Sequence, residues 1–140
     1  MAKHGLRAFL RRGMVASQGF LASGASAVAI GSASGPTSSP YQVVVRTSGS
    51  AGNEVVNLPL TGDYIGQRLL VTFGAEGNAA DVVRLNAAAT GALASQALVG
   101  GTPTAPTNVD LDTVAEYALF EYVGGATPTW NVVYTTGALS

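Results

Sequence analysis

The chain has 140 residues, 47 % hydrophobic and only 11 % charged, with no cysteine and one histidine. No cysteine means no disulfide framework and no thiolate chemistry, and the lone His4 beside Lys3 leaves no partners for a nucleophilic triad or a zinc site. Net charge is −1, yet residues 1–14 hold four bases and no acid, while the remainder holds three bases against eight acids, a balance of −5.

Residues 1–14, MAKHGLRAFLRRGM, place Leu6, Phe9, Leu10 and Met14 at roughly helical spacing, with Arg7, Arg11 and Arg12 pointing elsewhere. Gly5 and Gly13 confine such a helix to about two turns, which is marginal alone in water. Residues 15–40 are rich in Ala, Ser and Gly and end in Gly35-Pro36 and Ser39-Pro40. That composition buries too little to order itself, so residues 1–40 read as an extended N-terminal arm: basic first, then small side chains suited to a narrow groove. The start also has features of a secretory signal or transit peptide ending at Ala25-Ser26-Ala27. Its apolar part is diluted by Ser, Gln and Gly, so the segment is expected to be retained.

From Tyr41 the texture turns to β. Gln42–Arg46 is short and β-branched, Ser48–Asn53 is a turn, and Glu54–Leu58 runs into Pro59, which marks an edge or a strand end. Gln67–Phe73 alternates, with Leu69, Val71 and Phe73 on one face. Gly74–Asn78 reads as a hairpin loop, and Ala80–Asn86 as the returning strand with Asp81, Val83 and Leu85 on one face. Residues 87–101 read as irregular with a short strand near Leu98, and Thr102–Pro106 as a stiff loop. Asn108–Leu111 is a short strand. Ala115–Val123 and Thr129–Thr135 form a second hairpin holding Tyr117, Phe120, Tyr122, Trp130 and Tyr134, five of the ten aromatic residues.

In that hairpin both faces are apolar: Ala118, Phe120 and Tyr122 on one, Tyr117, Leu119 and Val123 with Glu121 on the other. A sheet with one wet face alternates more cleanly. One face is therefore expected in the core and the other against a second sheet or a neighbouring subunit. The low charge content points the same way, since typical domains are about 25 % charged. The two hairpins also correspond: Asp63, Leu70 and Phe73 lie 49 positions before Asp112, Leu119 and Tyr122. The expected fold is all-β, an antiparallel β-sandwich of jelly-roll type or a β-barrel over residues 41–140, preceded by the arm.

Chemistry is sparse. Asp110, Asp112 and Glu116 lie close in sequence, and a solvated strand edge explains them better than paired-carboxylate catalysis or a calcium site. The glycines at 19, 24, 31 and 35 lack the spacing and context of a phosphate loop. The acidic balance of the body speaks against nucleic acid as a specific partner, and no apolar run reaches the length of a membrane-spanning helix. No cofactor is expected. Trp130, Tyr122 and Tyr134 would make a sugar-stacking platform if exposed, but aromatics on paired strands more often pack.

The order of the body is distinctive: Gly66-Gln67-x-Leu69-x-Val71, a Gly77-Asn78 turn, Val83-x-Leu85, an Ala/Gly-rich crossing, Val109-x-Leu111, the Ala-Leu-Phe-Glu-Tyr strand, a Gly-containing turn and Trp130-x-Val132. Over residues 55–139 this resembles the small all-β modules of tailed-bacteriophage virion proteins, namely capsid decoration or cement proteins and trimeric head or tail fibres. The resemblance implies a non-enzymatic component on the capsid surface of a virion, a homotrimer, with the major capsid protein or another shell protein as partner. On that reading Lys3, Leu6, Arg7, Phe9, Leu10, Arg11 and Arg12 dock the arm on the shell. Leu70, Phe73, Leu119, Phe120, Tyr122, Trp130, Val132 and Tyr134 then form the core or the subunit interface. The alternative is a carbohydrate- or receptor-binding fibre module using Trp130 and its neighbouring tyrosines.

Overall fold

A computed structural model describes residues 17–22, 28–30, 42–47, 52–95 and 105–140. Eleven strands occur among them: β1 (Ser17–Ala22), β2 (Val28–Ala29), β3 (Gln42–Thr47), β4 (Gly52–Asn57), β5 (Arg68–Ala75), β6 (Asp81–Asn86), β7 (Ala92–Ser95), β8 (Asn108–Leu111), β9 (Tyr117–Gly124), β10 (Thr129–Thr135) and β11 (Ala138–Leu139). They form a six-stranded sheet in the order β1-β3-β5-β9-β10-β7 and a five-stranded sheet in the order β11-β8-β6-β4-β2. The molecule is all-β and sandwich-like, and neither sheet closes into a barrel.

The first six strands alternate between the two sheets, and each strand lies parallel on the one two before it. Ser17 pairs with Gln42 and Gln42 with Leu70 in one sheet, while Val28 pairs with Val56 and Val56 with Leu85 in the other. Parallel neighbours need a crossover connection. Here the crossover is the strand in the opposite sheet, so the chain rises as three stacked arches. The last four strands reverse this: β8 runs antiparallel to β6, β9 to β5, and β10 to β9, and β11 closes antiparallel on β8.

Two expectations are corrected by this topology. The sheets are mixed rather than antiparallel. Gly74–Asn78 does not join a hairpin either, because β5 and β6 belong to different sheets and the connection is an arch across the sandwich. Among the described strands only β9 and β10 pair as a true hairpin. Two pieces of the stretch read as an arm, β1 and β2, are edge strands, and Ile30 is fully buried in the core. In the Ala-rich crossing the observed strand is β7, parallel to β10; the expected one near Leu98 lies outside the described residues.

Alternation fills the core. Leu69, Val71 and Phe73 of β5 and Ala118, Phe120 and Tyr122 of β9 face Val83 and Leu85 of β6 and Val109 and Leu111 of β8 in one contiguous cluster. Trp130 is its largest fully buried side chain. Its ring lies 5.2 Å from that of Tyr122, and its Nε1–H donates to the Pro59 carbonyl at 2.7 Å.

Two acids occupy inward positions at one end of the core: Glu54 of β4 and Asp81 of β6, both fully buried. Asp81 Oδ2 accepts from the Thr47 hydroxyl and from the Asn78 N–H at 2.9 Å, and Thr47 Oγ1 accepts from the Gly77 N–H at 2.8 Å. Ala80 N–H donates to Asn78 Oδ1 at 3.0 Å. This polar set pins the β5–β6 arch to the end of β3. A buried carboxylate is retained where hydrogen bonds replace its water, and here Oδ2 is so served while Oδ1 has no partner.

Candidate functional site: the outer face of the six-stranded sheet

The side chains that alternate away from the core on β3, β5, β9 and β10 form three rows across the sheet. Register places Gln42, Leu70, Leu119 and Tyr134 in one row, and Val44, Thr72 and Tyr117 in the next. The third row holds Arg68, Glu121 and Asn131. A β-bulge between Val132 and Tyr134 turns Tyr134 outward, which strengthens local twist and re-aims side chains as bulges do. Its ring meets Tyr117 with centroids 5.7 Å apart.

Beyond the third row the surface continues into Val123 and the loop before β5. That loop is held at three points. Gly66 N–H donates to Tyr122 O at 2.7 Å, Tyr122 N–H donates to Gln67 O at 2.8 Å, and Pro59 O receives the Trp130 indole. Gly62 approaches Tyr122 so closely that an added Cβ would lie 2.8 Å from its side chain, and Gly66 takes a φ of +90°, open to glycine without strain. The anchored loop presents Tyr64 at 54 % exposure and Ile65 at 74 %. With Tyr134 at 48 % and Val123 at 42 %, this face and the loop beside it carry four of the six exposed large hydrophobics among the described residues. Apolar groups gathered on one face are more telling than the same groups scattered singly.

At the centre of the face a base meets an acid, and Arg46, outward on β3 beyond Val44, is exposed. Arg68 Nε lies 3.2 Å from Glu121 Oε2, with side chains 63 % and 33 % exposed. A pair this open contributes ~1 kcal/mol or less to stability.

The outer face of the five-stranded sheet is built differently. Asn57, Asn86 and Asn108 align across β4, β6 and β8. Next to them Arg84 grips Asp110 with two bonds, Nε to Oδ1 at 2.8 Å and the second nitrogen to Oδ2 at 2.7 Å, while Asn108 Nδ2 donates to the same Oδ1 at 2.9 Å. Hydrogen bonding to Asp110 raises the Arg84 pKa above its ordinary value. Val55 and Val82 interrupt this polar surface with half-buried aliphatic groups, and Ala29 and Ala138 add small apolar groups on the edge strands.

The residues singled out from sequence separate cleanly. Phe73, Phe120, Tyr122, Trp130 and Val132 lie in the core, while Leu70, Leu119 and Tyr134 lie on the outer face. The arm residues Lys3, Leu6, Arg7, Phe9, Leu10, Arg11 and Arg12 lie outside the described residues. Trp130, at 1 % exposure, has no surface on which a sugar could stack. Of the three acids weighed for catalysis, Asp110 is committed to Arg84. Glu116 Oε2 accepts the Asp112 and Thr113 N–H groups at 2.7 and 3.2 Å, and Asp112 Oδ1 accepts the Thr113 hydroxyl. Among the described residues no three His, Cys, Asp or Glu side chains cluster as a metal site. The concavity of about 390 Å³ between the β6–β7 connection and Ala105–Thr107 is lined mainly by alanines and carries no charged side chain. Sequence reading missed Ile65 and the buried Thr47–Asp81 bond. The Asp-Tyr-Ile-Gly run at 63–66 held the first signal, a large apolar residue inside a turn.

No family model matches this chain, and neither a curated protein nor a solved structure matches it.

Proposed function

We propose that this chain is a non-enzymatic structural protein of a phage virion: a capsid decoration or cement protein that docks on the shell through residues 1–14 and self-associates through its β-sandwich. The reading rests on the sequence resemblance to small all-β virion modules and on the opposition between a basic start and a body of net charge −5. The observation that carries its self-associating half is the outer face of the six-stranded sheet, with Leu70, Leu119, Tyr117 and Tyr134 on it, set against the polar outer face of the other sheet. Lys3, Arg7, Arg11 and Arg12 would meet an acidic shell surface, with Leu6, Phe9 and Leu10 as apolar anchors.

The resemblance implies a homotrimer. The layout of the outer face favours a two-fold contact instead. The carbohydrate-binding alternative loses its main residue with the burial of Trp130, although the Tyr117–Tyr134 pair keeps an exposed edge.

Quantitative protein analysis of purified particles tests the reading. A decoration protein is present in many copies per particle, in fixed ratio to the major shell protein, and is released without loss of the shell. Absence from purified particles overturns the proposal.

A further inference from the structure

The geometry points to a two-fold pairing of two copies of this chain, outer face to outer face, with the axis running along the seam between β5 and β9. This inference takes from the proposed function only that the chain self-associates, and it involves no shell.

The face is complementary to itself across that seam. Arg68 and Glu121 are register partners on the two strands that flank the seam. Rotation by 180° about an axis lying along that seam exchanges the positions of β5 and β9. Each Arg68 then faces the Glu121 position of the second copy, and each Glu121 faces an Arg68 position. The same operation sets Leu70 opposite Leu119 and Thr72 opposite Tyr117, because these too are register partners. An isologous contact requires that a patch complement itself under such a rotation, and every row across this seam does so. The two sheets then stack with strands aligned, the arrangement that two twisted sheets adopt at about 10 Å separation.

Charge favours a second copy as the occupant. At the centre of the patch one base and one acid, Arg68 and Glu121, each meet their opposite across the axis. Arg46, exposed on β3 in the row beyond Val44, lies off the seam.

The experiment uses the full chain and two charge-reversed variants, Arg68→Glu and Glu121→Arg. The intramolecular pair is exposed, so both variants are expected to keep the far-UV spectrum and melting temperature of the parent. By light scattering over a dilution series, the parent is expected at twice the chain mass of 14.0 kDa. Each variant alone sets like charges opposite one another and is expected to dissociate at a concentration at least 10-fold higher. Mixed one to one, the two variants place only opposite charges across the seam and are expected to pair with each other as tightly as the parent or more so. Combining both reversals in one chain restores self-pairing. A parent that is a monomer or a trimer, single variants that pair like the parent, or a mixture that stays dissociated each overturn the inference. None of these results bears on whether residues 1–14 bind a shell, which particle binding tests separately.

Discussion

Replacing Trp130 with Phe probes how the sandwich is locked, because one side chain there serves both sheet packing and loop anchoring. The indole is 1 % exposed, touches Tyr122 at 5.2 Å between centroids and donates to Pro59 O at 2.7 Å. Phe keeps an aromatic ring but removes the donor, and a buried carbonyl left without its partner costs about 1–3 kcal/mol. The smaller ring also forfeits buried area and leaves part of its volume empty, a further ~1 kcal/mol or more. Together the loss is about 2–4 kcal/mol. At ~4–8 °C per kcal/mol for a domain near one hundred residues, the midpoint should fall by about 8–32 °C. Thermal unfolding followed by far-UV circular dichroism reads this without the lost indole fluorescence. Tyr134→Phe, an aromatic change on the outer face, serves as the control and should stay within ~0.5 kcal/mol. If Trp130→Phe shifts stability no more than that control, the Pro59 contact is not an anchor and the loop carrying Tyr64 and Ile65 is held by other means.

Asp81→Ala strips the Thr47 hydroxyl and the Asn78 N–H of their acceptor. It should destabilise by about 1.5–3 kcal/mol in urea titration, the range for hydrogen bonds to a charged group, and a neutral result would mean that the arch is not pinned there. Ala115 adopts a φ of +76°, where an L-residue pays ~1–2 kcal/mol. Ala115→Gly should therefore leave stability unchanged or raise it by up to ~1 kcal/mol despite the entropy cost of glycine, and a clear loss by calorimetry would show that the methyl group packs. At Gly137 an added Cβ would stand 2.2 Å from Asp110 O and 2.7 Å from Leu111 Cδ2. Gly137→Ala must push β11 from β8, and hydrogen exchange should speed selectively at Ser140 N–H, which bonds Asn108 O; unchanged exchange there would contradict the packing.

The strands with clean alternation were legible in the sequence. Leu69, Val71 and Phe73 fall on one face, as do Asp81, Val83 and Leu85, and both triplets point inward. The split of β9 into two apolar faces was legible too, and it located the outer face before any partner strand was known. What alternation cannot convey is which sheet a strand joins. Gly77-Asn78 has the composition of a hairpin turn, yet β6 pairs with β4 and β8 rather than with β5. That choice is made by long-range register, not by the turn. β1 and β2 escaped notice for a related reason. Ser, Gly and Ala carry little strand signal of their own, and those segments are strands because β3 and β4 offer them parallel edges. The outward turn of Tyr134 depends on a bulge, which moves one residue across the pleat and breaks the strict period of two. Ile65 stayed hidden because its exposure is set by how Gly62 and Gly66 fold the loop onto Tyr122.

On the proposed function, the basic start would dock this protein on a shell while the sandwich remains an independent folded body. Binding of the purified full chain to shells stripped of it, compared with a chain lacking residues 1–14, measures this most directly. Saturable binding by the full chain that weakens as salt rises is expected, with loss of binding by the shortened chain while its melting temperature and number of copies per assembly stay unchanged. Full occupancy of the shells by the shortened chain would contradict it.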